Sequence, residues 1–425
     1  MARTLDSEAR RERAVAVERP VRALIVDADA LVRSALERSF ARDRDRLVEA
    51  EFADSGEAAL ERMASGDLDV LVADVQLPGM TGAELLREAR RGCPTTVRIA
   101  LSGGRKGAVD LGVLPVAHLV LHKPASFSEI RDHIVRAGAL RQRLDASGLS
   151  ALIGRGERLP RTPQLHDQLT TLMVDETTSL GRIAGVVEQD PAIAARLLQL
   201  ANSAWVGLPR RVGTTRDALM VLGLDLLRKL VLIAEVFDAF ERLPEGIDQS
   251  GFQRHSVMTA RIAGKIVRPN VAAAATTAAL LHDVGKLALA VVQPEQYAKA
   301  VARSRASRTP LHRVERELLG FDHADAGAAL MELWGLPLQT LHAVGDHHSP
   351  ERLRPGRLDA PGAVFIANAL ANAVDENRVW EFVRERGGLD ARWASRFPEE
   401  TWTRWGAVAE RVALEEREEP TLGAD

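Results

Sequence analysis

The sequence predicts two folds in series: an α/β domain with a doubly wound, five-stranded parallel sheet, then an all-α domain. Three observations carry this. From Val21 to about Leu144, short apolar runs alternate with amphipathic helical stretches, the pattern of strand–helix units. Within that region LDVLVAD (68–74) is almost continuously apolar, as a parallel strand buried on both faces must be. From about Leu159 to Leu370 the apolar residues recur at helical spacing instead.

The elements follow in order. VRALIV (21–26) is a β-rich run ending at Asp27, and Leu31, Val32, Ala35 and Leu36 mark the helix after it. VEAEF (48–52) is a second strand, and SGEAALERM (55–63) a helix capped by Ser55. After the third strand, PGMTGAELLREAR supplies a turn and a helix. TVRIALSG (96–103) and AHLVLHKP (117–124) are the last two strands, and FSEIRDHIVRAGALRQRL (127–144) is the closing helix. The stretch ASGLSALIGRGERLPRTP, with three glycines and two prolines, reads as a boundary. Beyond it, EQDPAIAARLLQLANSAWVGLP (188–209) spells a helix with Asp190 as cap, Pro191 at the first helical position and Gly207 and Pro209 as stop. Ile193, Leu197, Leu200 and Ala204 are its stripe. A second helix, 214–237, starts at a threonine cap and runs through Leu219, Leu222, Leu226 and Leu230, which read as core.

Composition narrows the function classes. The chain of 425 residues is 46% hydrophobic and only 4% aromatic, so Ala, Leu and Val fill its cores, a mix that favours helices. A formal charge of −3 spread over both signs gives no global pull toward nucleic acid or an anionic membrane. The single cysteine, Cys93, excludes an intrachain disulfide and fits a reducing, cytoplasmic setting. Apolar runs such as LVLIAEVF (230–237) fall short of the ~20 residues that span a bilayer. The first 19 residues carry acids among arginines with no apolar core and read as a disordered tail.

In a doubly wound sheet the ligand site lies at the carboxyl ends of the strands. Asp27 ends strand one, Asp74 strand three, Ser102 strand four and Lys123 strand five. Two carboxylates brought together repel unless a cation joins them, and Mg²⁺ is the hard-oxygen choice. With a cation and Lys123 neutralising charge, Asp74 is placed to attack a phosphoryl group. LIVDAD (24–29), DVLVADVQLPGMTGAELL (69–86), ALSG (100–103) and HKP (122–124) make residues 20–145 resemble the receiver domain of two-component response regulators, a flavodoxin-like fold. That resemblance implies Asp74 as phosphoacceptor, Ser102 as the hydroxyl meeting the phosphoryl group, Lys123 as the family's lysine, and Mg²⁺ held by Asp27, Asp29 and Asp74. It also implies a sensor histidine kinase as partner. Two positions depart from the pattern. Ala28 stands where receivers usually carry a second, metal-ligating acid, and Val120 replaces the aromatic switch.

In the second segment, seven of the eleven histidines lie between 255 and 348. His255 sits in GFQRHSVMTARIAGKIV, His282 and Asp283 in ALLHDVGKLAL, His323 in GFDHADAGAALMELWGLP, His347 and His348 in AVGDHHSP, and Asn368 in VFIANALANAV. Imidazole and carboxylate together suit Fe, Mn, Zn or a similar divalent ion, and two such ions could acidify a bridging water. His282 and Asp283, about 100° apart around a helix, could lean toward one ion, with Lys286 a turn further on to meet a phosphate oxygen. Those blocks, with DPAIAARLLQLANSAWVGLPRRV and ALMVLGLDLLRKL, occur in the order found in HDOD domains, to which about residues 155–370 are similar. That resemblance implies an HD-like helical fold and a metal set at His255, His282, Asp283, His323, His347, His348 and, in place of the usual aspartate, Asn368. Most HDOD domains are regarded as regulatory interaction modules, which implies an unidentified protein partner. The related phosphohydrolases imply the alternative, a metal-dependent phosphodiesterase using Lys286. Asn368 and the absence of Gly-Tyr-Pro in SPERLRPGRLDAPG lean toward the module.

The expected layout is a tail (1–19), the receiver (20–145), a linker (146–158), the HDOD domain (159–372) and a helical extension (373–425) whose Trp380, Trp393, Trp402 and Trp405 pack back on the helices. Neither membrane nor nucleic acid is an expected partner, since GLPRRVGTTRDALMVLG offers only a small basic turn. A homodimer is compatible with this layout.

Overall fold

Strands β1 (Val21–Val26), β2 (Val48–Ala53), β3 (Val70–Asp74), β4 (Val97–Ser102) and β5 (Leu119–His122) pair in parallel in the order β2–β1–β3–β4–β5. The molecule is described by a computed structural model covering residues 17–64, 66–103, 113, 116–155, 178–189, 191–202, 212–221, 248–334, 336–353, 358–385 and 395–418. These form two compact units, one before and one after residues 156–177. Every residue of β3 and β4 is buried, as their apolar runs demand, whereas the edge strand β2 alternates between half-buried and exposed positions. Strand order reverses between β1 and β3, which opens a crevice at their carboxyl ends.

Helices α1 (Ala30–Ala41), α2 (Gly56–Ala64), α3 (Gly82–Gly92) and α4 (Phe127–Ala146) complete the strand–helix units. Side chains cap each start: Asp29 for α1, Ser55 for α2, Ser126 for α4, and for α3 a reciprocal Thr81–Glu84 box. Leu31, on the sequence stripe of α1, is instead 81% exposed. Gly82 begins α3 so close to the end of β3 that a Cβ there would overlap the Asp74 carbonyl oxygen. The boundary stretch contains a short helix, α5 (Ala151–Arg155). His118 fixes it: its Nδ1 accepts from the Arg98 backbone N–H at 2.9 Å, so its Nε2–H donates to the Ile153 carbonyl at 2.6 Å.

The second unit is helical: α6 (Leu180–Val187), α7 (Pro191–Ala201), α8 (Gln249–Ile266), α9 (Pro269–Leu281), α10 (Val284–Val292), α11 (Pro294–Ser307), α12 (Leu311–Leu319), α13 (His323–Leu333), α14 (Leu338–Gly345), α15 (Ala360–Asp375), α16 (Val379–Glu385) and α17 (Glu399–Glu418). Residues 215–221 are also helical, with Thr214 Oγ1 capping Asp217 N as its sequence predicts. The rest of that helix, with Leu222, Leu226 and Leu230, lies outside the described residues, as do Asp190, Ala204, Gly207, Pro209, Trp393, the first 16 residues and the last seven. Helix α8 packs on α9, α15 and α17, while α13 packs on α10 and α14. Trp402 and Trp405 are buried on α17, as expected of the extension, but Trp380 is 46% exposed and lies beside Gly406. Glu415 ties α17 to α8 through Arg261 at 2.9 Å and Lys265 at 2.8 Å. One stretch, Pro269–Val292, is long and apolar enough to cross a membrane, which a search for unbroken apolar runs overlooks; 89% of its apolar window is buried inside the unit.

Helices α10 and α13 meet backbone to backbone, because a Cβ at Gly285 would overlap the His323 carbonyl oxygen. Gly285→Ala is expected to cost about 1–3 kcal/mol of unfolding free energy through overpacking. Chemical denaturation of the full chain checks this, and an unchanged midpoint would show that the two helices give way freely.

Candidate functional site

Two clusters of polar residues form, one in each unit. In the first, Lys123 Nζ lies 2.6 Å from Asp27 Oδ2 and 2.6 Å from Asp74 Oδ2. The remaining oxygens are also engaged: Asp27 Oδ1 accepts from Asp29 N at 2.9 Å and Asp74 Oδ1 from Gln76 N at 2.9 Å. Burial opposes the charge on Lys123, but its bonds to Asp27 and Asp74 outweigh burial and hold the ammonium above the ordinary lysine value. Ser102 is buried at the end of β4, one residue beyond Leu101, which pairs with Asp74; its carbonyl accepts from Lys123 N at 2.8 Å. Asp29 is exposed and caps α1 through Oδ1, which accepts from Leu31 N at 2.8 Å. Arg33, a residue the sequence reading passed over, reaches back to the rim and donates to the Asp27 carbonyl at 2.7 Å.

The second cluster gathers side chains from α8, α13, α15, the turn after α14 and the junction of α9 with α10. His282 and Asp283 do not share one helix: His282 is the C-cap of α9 and Asp283 the N-cap of α10. This break turns both side chains inward. Asp283 is the hub. Its Oδ2 lies 2.5 Å from Lys286 Nζ, 3.4 Å from His282 Nε2 and 3.9 Å from His255 Nε2. Its Oδ1 lies 3.2 Å from His323 Nε2 and 3.5 Å from His347 Nε2, without the alignment of a hydrogen bond. The rings interlock, with centroids 4.9 Å apart for His282–His347 and 4.0 Å for His347–His348.

Outer contacts assign the ring protons. His282 Nδ1–H donates to the Ala279 carbonyl at 2.6 Å and His347 Nδ1–H to the Val344 carbonyl at 2.5 Å, so both Nε2 lone pairs face the interior. Glu315 Oε2 accepts from His323 Nδ1 at 2.5 Å and from its backbone N at 3.0 Å. His323 Nε2 then donates to His348 Nε2 at 2.9 Å. His255 Nε2–H donates to Asn368 Oδ1 at 3.0 Å, and Asn372 Nδ2 donates to the same oxygen at 3.1 Å.

The charges follow. Burial works against ionised Asp283, but His282, Lys286, His323 and His347 around it hold it well below the usual carboxylate range. Burial keeps His282 and His347 neutral, and burial with the neighbouring rings of His347, His323 and His312 does the same to His348. His323 is the exception: burial lowers it, but Glu315 and Asp283 outweigh burial and push it up to about 9. His312 stacks on His348 at 4.1 Å, and burial and His323 drop it to about 4.

These residues fit a divalent cation. His282 Nε2, His347 Nε2 and Asp283 Oδ1 are buried electron-pair donors that find no hydrogen-bond partner. Two groups, His255–His282–Asp283 and Asp283–His323–His347–His348, each keep their donor atoms within 4.8 Å of one another, close enough to share an ion. Sequence reading located every candidate ligand but missed the outer partners. Glu315 sits among the alternating charges of RVEREL, whose spacing does not single it out. Asn372 and His312 carry no signal of their own, since nothing in their spacing shows what they touch.

Known proteins provide the comparison. The response regulator receiver domain family matches residues 23–135, and the HDOD domain family residues 159–350. An uncharacterised protein of Treponema pallidum is 23% identical over 212 residues, 48% of this chain; the chain spans about two-fifths, 41%, of that relative's length. The MmoQ response regulator of Methylococcus capsulatus is 25% identical, with 59% of this chain and 98% of that one covered at a TM-score of 0.45. A virulence factor of Campylobacter jejuni is 19% identical, with 58% and 93% covered at 0.45. An HDOD domain protein of Geobacter sulfurreducens is 21% identical, with 64% and 96% covered at 0.32. This chain therefore carries a response regulator receiver domain followed by an HDOD domain.

Proposed function

We propose that the protein is a phosphorylation-dependent response regulator of the cytoplasm, in which a sensor histidine kinase phosphorylates Asp74 and the HDOD domain conveys that state to a protein partner. One observation carries the reading: Lys123 joins Asp27 and Asp74 at 2.6 Å each, in the crevice where the strand order reverses. In the transfer, Asp74 forms an O–P bond as the donor's N–P bond breaks, and Lys123 meets the charge on the phosphoryl oxygens. Asp27 and Asp74 would hold Mg²⁺ here; Ala28 adds no oxygen, and one oxygen of Asp29 is committed to capping α1. We take residues 20–145 as the receiver, 146–158 as linker, 159–372 as the HDOD domain and 373–425 as its extension. Incubation of the purified chain with acetyl phosphate and Mg²⁺ is expected to add one acid-labile phosphoryl group, read by intact mass. No gain in mass would overturn the reading.

The orphaned imidazole nitrogens favour a second reading, a metal-dependent phosphohydrolase under receiver control. A divalent ion bound there would supply an acidified water and polarise a phosphate ester. Asp283, His323, His347 and His348 would hold it, and the Lys286 ammonium, 28% exposed, would pair with a phosphate oxygen. Bis(p-nitrophenyl) phosphate with Mn²⁺ separates the two readings: release of nitrophenolate that Asp283→Ala abolishes supports the hydrolase, and no release leaves the interaction module.

A further inference from the structure

We infer that the helical unit holds one divalent cation, not two, in the half of the cluster made by Asp283, His323, His347 and His348, and that the half made by His255, His282 and Asn368 is closed to a second. This rests on the reading that a cation binds in the cluster at all.

The two oxygens of Asp283 divide the cluster. Oδ1 faces His323 and His347 and has no hydrogen-bond partner, so it is free to take a cation. Oδ2 faces His282 and His255, but Lys286 Nζ sits on it at 2.5 Å. An ammonium in that position already neutralises the oxygen and repels a second positive ion. The neighbouring donors make the same division. His347 is pinned by the Val344 carbonyl with its Nε2 lone pair inward, and Glu315 orients His323 through both its ring and its backbone. Three imidazoles and a carboxylate oxygen become a full set for a four-coordinate ion once the proton that His323 Nε2 shares with His348 Nε2 is released as the cation enters. On the other side, His255 Nε2–H also points away from a cation and donates to Asn368 Oδ1, and no free carboxylate oxygen stands beside it to favour release of that proton. That amide oxygen also accepts from Asn372, so both its lone pairs are used, and it brings no negative charge. His282 Nε2 alone is left to hold an ion there.

The test counts Mn²⁺ bound by the full chain, reading free Mn²⁺ by electron paramagnetic resonance, with far-UV circular dichroism confirming that each variant is folded. The wild type is expected to bind one Mn²⁺ per chain. His347→Gln and the milder His348→Gln should weaken it about tenfold or more, Glu315→Gln roughly 10- to 100-fold, and His255→Ala less than about twofold. Asn368→Asp combined with Lys286→Gln, which supplies a carboxylate and frees Asp283 Oδ2, should raise the count to two, a gain that misfolding cannot imitate. Two ions in the wild type, or loss of the ion in His255→Ala with retention in both His347→Gln and His348→Gln, would overturn this inference and leave the metal reading standing. No bound Mn²⁺ at all would overturn the metal reading itself.

Discussion

Asp74→Asn is expected to eliminate acid-labile phosphate from the protein after incubation with acetyl phosphate and Mg²⁺, under conditions in which the wild type should be labelled. The expectation rests on chemistry at one atom: an amide at this position is not a nucleophile, whereas the Asp74 carboxylate is held ready beside an ammonium. The fold should survive, because Lys123 keeps its bond to Asp27 and the amide oxygen keeps the bond from Gln76 N. Matching thermal melts would therefore show that lost labelling is lost chemistry. Lys123→Ala should leave the nucleophile but slow labelling by roughly 100-fold or more, the scale seen when one group facing developing charge is removed. Ala28→Asp adds an oxygen beside Asp27 and should lower the Mg²⁺ concentration that half-saturates labelling by about tenfold. Unchanged labelling of Asp74→Asn would remove the phosphoacceptor from the account.

Asp283→Ala, measured in chelator, should cost the helical unit about 3–5 kcal/mol, the loss typical when one member of a buried charge cluster is deleted. Asp283 is 2% exposed and faces Lys286 and protonated His323, so its removal leaves both cations near each other without their shared counter-charge. Urea unfolding followed through the buried Trp334, Trp402 and Trp405 reads the change. The pH dependence has a definite sign. His323 is raised to about 9 in the folded chain, so its contribution is complete below the unfolded value of about 6.5 and is lost as pH climbs through 9. Asp283 is lowered, so its own contribution is present at neutral pH and fades only in acid. Metal-free wild type should therefore lose stability between about pH 6.5 and 9, and Glu315→Gln should flatten that slope. A midpoint equal to wild type for Asp283→Ala would mean that the cluster carries no paired charge.

Much of this architecture can be read from residues alone, and the exceptions share a cause. LDVLVAD and TVRIALSG announced buried strands because a parallel sheet needs apolar side chains on both faces, and β3 and β4 are buried throughout. The strand-end rule by itself brings Asp27, Asp74 and Lys123 together, as they are found. What sequence could not supply was the partner of each polar group. The receiver resemblance makes Asp29 a metal ligand, and what it does not reveal is that the place of Asp29 before α1 commits one oxygen to a cap. Asn368 showed only a missing charge; that it takes the proton of His255 is a fact of two helices meeting. Glu315 hid in a charged helix because one period of helical spacing does not reveal which face turns inward.

The mooring of α5 has a mechanical consequence. His118, itself held by Arg98, grips Ile153 at the amino-terminal ends of β4 and β5, whereas Asp74, Ser102 and Lys123 occupy the opposite pole. A six-residue strand such as β4 measures about 20 Å. The chain thus leaves this unit from the end farthest from Asp74, so a change at that carboxylate that is to use this exit would run the full length of the sheet, through paired strands rather than a loop.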